Sequence, residues 1–170
     1  FDGAFAAGGC FKNVFNEEKV KDIDIFFPDK EHFEKAVLEA NKEEIPFLYR
    51  NNNVCCFILN NIKLELNQKI FGEPKDILSQ FDFTITKFAL YKEHVPKDDG
   101  TWFWEDKVIF HEDFFEHLFF KRLIVDNKIP FPESTYERMI KYMRYGYFPC
   151  KETKVKIANE LHNLNRDLQF

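Results

Sequence analysis

The residues of this 170-residue chain that could do chemistry are concentrated between Gly8 and Phe27, in the run GGCFKNVFNEEKVKDIDIFF. Gly8 and Gly9 have no Cβ, so the backbone there can come close to a phosphate. Cys10 to Asn16 reads as a short helix, whose leading N–H groups and partial positive charge suit an anion. Asp22 to Phe27 (DIDIFF) alternates polar and apolar before an apolar end, the pattern of a strand. Residues i and i+2 of a strand share a face, so Asp22 and Asp24 project together while Ile23 and Ile25 face the other way. Two adjacent carboxylates repel unless a cation lies between them, and oxygen-only ligands suit magnesium. The chemistry permitted is in-line phosphoryl transfer from a metal-bound triphosphate. The competing readings are a solvated strand end for the aspartates and a plain turn for the glycines.

These residues need elements to position them. Ala4 to Ala7 is expected as a short strand leading into the glycines. Pro28-Asp29 ends the aspartate strand, and Asp29 can cap a helix running to about Glu44, with Phe33, Val37 and Ala40 on its buried face. Phe47 to Arg50, Val54 to Leu59 and Lys63 to Ile70 are strand-like. They are separated by Asn51-Asn52-Asn53 and Asn60-Asn61, residues that tolerate the positive φ of hairpin turns. Pro74 to Gln80 reads as a short helix, and Phe83 to Tyr91 and Trp102 to Phe110 as strands joined by the loop Glu93 to Gly100. From His111 the pattern turns helical. Glu112 to Phe120 is one helix, and Thr153 to Leu164 is the last. Between them lies a helix to about Tyr145, opened by the capping-box spacing Ser134-Thr135-Tyr136-Glu137 and closed by Gly146. The predicted class is α+β: a mixed sheet with helices over residues 1–110, then a small helical extension over 111–170.

Composition narrows the function classes. Hydrophobic residues make up 45% of the chain, which fits a globular protein. The net charge of −5 excludes a whole-chain basic field for nucleic acid. The 22 phenylalanines are read as core filling. Cys10, Cys55, Cys56 and Cys150 match no zinc spacing and are read as reduced, with the adjacent pair pointing to opposite strand faces. The histidines, His111 and His117 among them, show no metal-ligand clustering with cysteine. No apolar run is long enough for a bilayer and no secretory signal is visible, so a soluble, cytoplasmic protein without membrane partners is expected. The opening at Phe1 is read as the absence of a few leading residues.

The glycine pair followed by Asp22-x-Asp24 resembles the head of the DNA polymerase beta superfamily of nucleotidyltransferases, in particular the bacterial tRNA CCA-adding enzyme and poly(A) polymerase group. In that group an Arg-Asp pair lies between the two elements. Here Lys12 keeps the positive charge and Asn13 loses the carboxylate. Phe81-Asp82-Phe83-Thr84-Ile85 resembles the family's Arg-Arg-Asp-Phe-Thr-Ile-Asn motif, with Gln80 and Phe81 in place of both arginines and Thr86 in place of the asparagine. Arg138-Met139-Ile140, Lys141 to Arg144 and Gly146-Tyr147 resemble the family's neck helix. An acidic pair before that helix helps its arginine recognise the incoming base; Ser134 and Thr135 stand at those positions, just after Glu133.

The resemblance, which covers roughly Gly3 to Phe148, implies a polymerase-beta-like head followed by a neck-like extension. It implies transfer of a nucleoside monophosphate from an NTP, such as ATP, to an acceptor hydroxyl, with release of pyrophosphate. In the family that acceptor is an RNA 3′ end, so RNA or tRNA is an implied partner. Asp22 and Asp24, joined by Glu65 as the third carboxylate from a later strand, would be catalytic and would hold two magnesium ions. Gly8, Gly9, Lys12 and Arg138 would bind the nucleotide. The body and tail domains that grip tRNA have no room in 170 residues. An alternative is a nucleotide-binding or interaction module that kept the fold and lost turnover, as Asn13, Gln80, Phe81 and Ser134-Thr135 suggest. Transfer to a protein or small-molecule hydroxyl is another. Residue by residue, Lys12 could be merely solvated, Asp82 could cap a turn, and Arg138 could pair with Glu133 or Glu137. Asn67 and Glu73 are weaker metal candidates, Arg122 and Arg144 read as surface charges, and Trp102 and Trp104 are expected to be buried.

Overall fold

The computed structural model describes residues 1–97, 99–126 and 129–167. In chain order the elements are β1 (Phe5–Ala7), α1 (Gly9–Phe15), β2 (Asp22–Phe26), α2 (Lys30–Lys42), β3 (Phe47–Arg50), β4 (Val54–Leu59), β5 (Ile62–Asn67) and α3 (Pro74–Ser79). There follow a 3-10 turn (Thr84–Thr86), β6 (Phe88–Pro96), β7 (Trp102–Phe110), α4 (Phe114–Phe119), β8 (Arg122–Leu123), α5 (Pro132–Arg144), β9 (Phe148–Pro149) and α6 (Lys151–Asp167). The chain divides into two compact units, Phe1–Ser79 with Phe88–Phe110, and Gln80–Lys87 with His111–Phe170. The α+β class expected from the sequence is the one observed.

The first unit is built on a seven-stranded sheet of order β3-β4-β5-β2-β1-β6-β7. Its β2–β5 pairing is parallel and the others are antiparallel. Strand alternation sends Ile25, Leu66, Cys55 and Phe57 toward Phe33, Ala36 and Ala40 of α2, and these residues with Phe27 form the core. Ala36 lies deeper than the expected Val37, which is only partly buried. Asp29 caps α2 as expected, its Oδ1 accepting from the His32 N–H at 2.9 Å. Asn60 and Asn61, at φ 51° and 64°, make the β4–β5 turn. The Asn51–Asn53 turn works differently: no positive φ is used, and Asn51 Oδ1 accepts from the N–H groups of Asn53 and Val54. Asn67 ends β5 before the expected Ile70 because its side chain accepts from the N–H groups of Lys69 and Ile70.

Two expectations fail at the aromatic strands. The strand expected over Phe83 to Tyr91 begins only at Phe88, because Thr84–Thr86 winds into a 3-10 turn in which Thr86 Oγ1 donates to Phe83 O at 2.8 Å. Beyond it β6 continues through the first half of the expected loop, paired with β7 from Phe88↔Phe110 to Pro96↔Trp102. Trp102 and Trp104 are exposed, contrary to expectation, on β7, the edge strand of the sheet. Phenylalanine does fill the core at Phe27, Phe33, Phe57, Phe83 and Phe114, while Phe119, Phe120 and Phe148 are exposed.

The second unit packs Phe83, Ile85, Phe114, Leu123, Tyr147 and Ile157 as fully buried side chains. The parallel bridge β8–β9 and the contact of α5 with α6 frame them. The expected capping box is absent. Phe131 is the N-cap and Pro132 opens α5, so Ser134 already lies inside the first turn. Gly146, at φ 82°, closes the helix as expected. All four cysteines are free thiols, with Cys55 in the α2 core and Cys56 on the opposite face. Among the described residues, no helix is long and apolar enough to cross a membrane.

Two outcomes follow from this packing. Leu66→Ala, at a fully buried site between β2 and β4, should cost about 3 kcal/mol in denaturant-unfolding experiments. His117 is buried, its Nδ1 hydrogen-bonded with Thr84 Oγ1 at 2.8 Å, and burial holds its pKa below the ordinary 6.5. The unfolded chain therefore takes up the proton first as pH falls through 6.5, and stability is lost from there downward. A His117→Asn variant should show a shallower decline between pH 7 and 5 in thermal melts; an identical slope would remove His117 from the cause.

Candidate functional site

The site grows out of the β1–α1 turn and the β2–β5 ladder. Gly8 sits at φ 104° and ψ −152°, a conformation that a side chain would strain. Its N–H is spent on Phe88 O at 3.0 Å, joining the turn to β6. The N–H groups that α1 itself leaves unbonded therefore begin at Gly9. Along β2, Asp22 is exposed, Asp24 is half-buried and Phe26 is buried, where it stacks on Phe5 at 5.9 Å. The two acids thus occupy the open end of one strand face whose other end is closed by aromatic packing.

Glu65 is drawn to this face by register. Asp24 is the direct neighbour of Glu65 in the parallel β2–β5 ladder, and Asp22 of Lys63. Register neighbours point to the same side of a sheet, so Asp22, Asp24 and Glu65 share a face. The carboxylate of Glu65 is engaged from the far side, however. Tyr49, across β4 at the Tyr49↔Cys56↔Glu65 register, donates its hydroxyl proton to Glu65 Oε1 at 2.7 Å. That bond raises the Tyr49 pKa, since a phenolate beside a carboxylate is disfavoured. Among the described residues no three His, Cys, Asp or Glu side chains gather tightly enough to hold a metal ion. The donor chemistry fits magnesium through Asp22 and Asp24, with Glu65 one strand away and turned to Tyr49. Tyr49 was missed from the sequence, because which residue faces Glu65 across an intervening strand depends on register.

The acids and the start of α1 feel one another electrostatically. The Cys10 thiol is pushed up to about 12, by burial first and then by the negative charge of Asp24, with a smaller push from Asp22. The first turn of α1 therefore lies within the field of the aspartate pair. Lys12, considered for phosphate, is buried; its Nζ bonds Glu18 at 3.2 Å and Asn13 Oδ1. Asn13 in turn donates to Lys19 O at 3.2 Å, a bond that a carboxylate could not make, which tethers the segment leading into β2.

Arg138 belongs to the second unit, and neither Glu133 nor Glu137 is its partner. Its Nε and Nη2 both donate to Asp82 Oδ2, at 2.8 and 2.6 Å. Thr135 Oγ1 donates to the same oxygen at 2.8 Å, and Phe83 N–H to Asp82 Oδ1 at 2.9 Å. Asp82 is almost fully buried while the Arg138 side chain is 41% exposed, so the guanidinium is anchored at one edge and accessible at the other. Asp82→Ala should strand these donors and cost about 2 kcal/mol, at the low side for a broken ion pair because Arg138 reaches solvent. Urea unfolding measures this, and an unchanged midpoint would show that the cluster adds nothing to stability.

A family model described as Gabija anti-defense 2 family protein matches residues 1–121. The protein "Gabija anti-defense 2" of Bacillus phage SPbetaL7 is 24% identical over 156 residues, covering 91% of this chain and 36% of that protein. Among solved structures, a CCA-adding enzyme complexed with ATP superposes with a TM-score of 0.66 at 16% identity, covering 96% of this chain and 40% of that one. A tRNA-processing enzyme in apo form I gives 0.64 at 21% identity, covering 95% and 42%. The Thermotoga maritima CCA-adding enzyme complexed with tRNA gives 0.64 at 16% identity, covering 94% and 38%. At such identities the structural likeness shows the fold alone, and this chain spans less than half the length of each relative. The fold of this chain is thus like that of these CCA-adding and tRNA-processing enzymes, and the chain belongs to the Gabija anti-defense 2 family.

Proposed function

We propose that this chain is a magnesium-dependent nucleotidyltransferase domain that moves a nucleoside monophosphate from an NTP to an acceptor hydroxyl. The observation that carries the reading is the Asp24↔Glu65 register beside Asp22, at the open end of a face that also feels the first turn of α1. Asp22 and Asp24 would hold the metal, and Glu65 would complete the set by leaving Tyr49. The N–H groups from Gly9 onward would approach the triphosphate, with Gly8 supplying the turn. Lys12, tied to Glu18 and Asn13, would set the positive charge beneath that turn. Two magnesium ions would supply neutralisation of the triphosphate and activation of the acceptor oxygen. In the reaction the acceptor oxygen bonds to the α-phosphorus, the bond to the β-phosphate oxygen breaks, and pyrophosphate leaves while the acceptor proton passes to solvent. Arg138, aligned by Asp82 and Thr135 within the second unit, is proposed separately as a nucleotide-binding residue through its open edge.

An RNA 3′ end is the acceptor that the fold kinship supports, since relatives of this fold are CCA-adding enzymes bound to tRNA and to nucleotides. The net charge of −5 and the family's anti-defense designation support a second reading, in which the acceptor hydroxyl belongs to a protein or small molecule. The Tyr49 bond to Glu65 and the replacement of a carboxylate by Asn13 support a third, a module that binds nucleotide without turnover.

Incubation with magnesium and each labelled NTP, with and without total RNA, separates these readings. Label should appear in RNA with pyrophosphate released, and Asp24→Asn should lower the rate about a thousandfold, the order of several kcal/mol of lost metal stabilisation. Label in protein would favour the second reading. NTP binding with no transfer to any acceptor would favour the third. Transfer that survives both Asp22→Asn and Asp24→Asn would overturn the assignment of these residues.

A further inference from the structure

The β6–β7 hairpin presents an edge whose side chains become complementary when a second copy is turned antiparallel against it. Strand β7 has one neighbour in the sheet, β6, so no strand of the described residues pairs with its outer edge. The hydrogen-bond alternation along the hairpin can be derived from its two ends. Lys97 N–H donates to Thr101 O at 2.6 Å at the tip, and His111 N–H donates to Lys87 O at 3.0 Å at the base. Both lie on the register that pairs Pro96 with Trp102 and Phe88 with Phe110. Antiparallel pairs alternate between bonded and non-bonded, so the odd-numbered residues of β7 bond to β6. The main-chain groups of Trp102, Trp104, Asp106 and Val108 therefore point outward. Gly8 N–H bonding to the even-numbered Phe88 of β6, on the side away from β7, obeys the same alternation.

The side chains along this edge are arranged about Asp106. Trp102, Trp104 and Val108 are each more than half exposed on one face, and Glu105 and Lys107 flank Asp106 on the other. If the strand meets a second copy of itself antiparallel about Asp106, Trp104 faces Val108, Glu105 faces Lys107, and Trp102 faces Phe110. Each of these pairings occurs twice across the axis, once in each direction, as a two-fold interface requires. The face-to-face Asp106 residues are each paired within their own chain with Lys92, at 3.2 Å. We propose that β7 is an isologous dimerisation edge, pairing with β7 of a second copy about a two-fold axis at Asp106 to extend the sheet. Lys107 Nζ bonds Glu105 within its own chain at 2.5 Å. Across the axis each of these charges also falls opposite its counterpart, so the four would form one alternating cluster, while aromatic and aliphatic side chains meet on the other face. This inference stands independently of the transferase reading.

Sedimentation analysis of the full chain tests it, with circular dichroism confirming that each variant is folded. The wild type should be a dimer. Val108→Pro removes an outward N–H that no β6 bond uses, so it should yield a folded monomer. Lys107→Glu sets glutamates opposite each other twice and should raise the dimer dissociation constant roughly tenfold. Glu105→Lys combined with Lys107→Glu restores both opposite-charge pairs and should recover the wild-type constant. A monomeric wild type up to about 100 μM would overturn the proposal. So would a dimer indifferent to both Val108→Pro and Lys107→Glu, or a charge swap that fails to recover association.

Discussion

The parallel pairing of β2 with β5 is the constraint on which the first unit depends. Four consecutive register pairs, from Asp22↔Lys63 to Ile25↔Leu66, tie together two strands far apart in sequence. The alternation of those strands serves two ends at once. Ile25 and Leu66 are sent into the core beneath α2, while Asp24 and Glu65 are sent to the opposite face. A one-residue slip of this pairing would move Leu66 out of the core and Glu65 into it, so packing and the acidic face are specified by the same hydrogen bonds. The burial of Leu66 and Phe57 thereby holds the carboxylates in register with no contact of their own to the core.

The same economy of local chemistry explains two departures from the CCA-adding enzyme motifs that the sequence resembles. Asn13, where a carboxylate is expected, supplies a donor to Lys19 O and so ties down the approach to β2. Thr135, where an acidic residue is expected, donates to Asp82 rather than repelling it, and Asp82 becomes the partner that aligns Arg138. An acid at position 135 would bring a second negative charge against a buried carboxylate, a costly arrangement in a low-dielectric setting. The retained Asp82 and the replacement at Thr135 therefore belong together: Asp82 is the anchor, and the residue beside it is neutral and able to donate.

Tyr49 changes how the acidic face is understood. It holds Glu65 from the side opposite Asp24, so the three acids share a face without converging on one point. The hydroxyl proton relieves part of the repulsion that clustered carboxylates would otherwise suffer in the absence of a cation. Cys10, kept protonated by burial and by Asp24, adds no further negative charge beside them.

The sequence by itself determined the α+β class, most of the sheet's strands, the Asp29 cap, the Asn60-Asn61 turn and the common face of Asp22 and Asp24. Each of these follows from periodicity of two or from chemistry within a few residues, and such signals are local. Tertiary structure decided what depends on pairing between distant segments. It placed Glu65 beside Asp24 but under Tyr49, gave Arg138 to Asp82 rather than to a neighbouring glutamate, and wound Thr84–Thr86 into a turn that moved the start of β6. It also left Trp102 and Trp104 on an open strand. Alternation shows that two residues share a face, but only what packs against the sheet decides whether that face is covered, and that packing is a property of the fold.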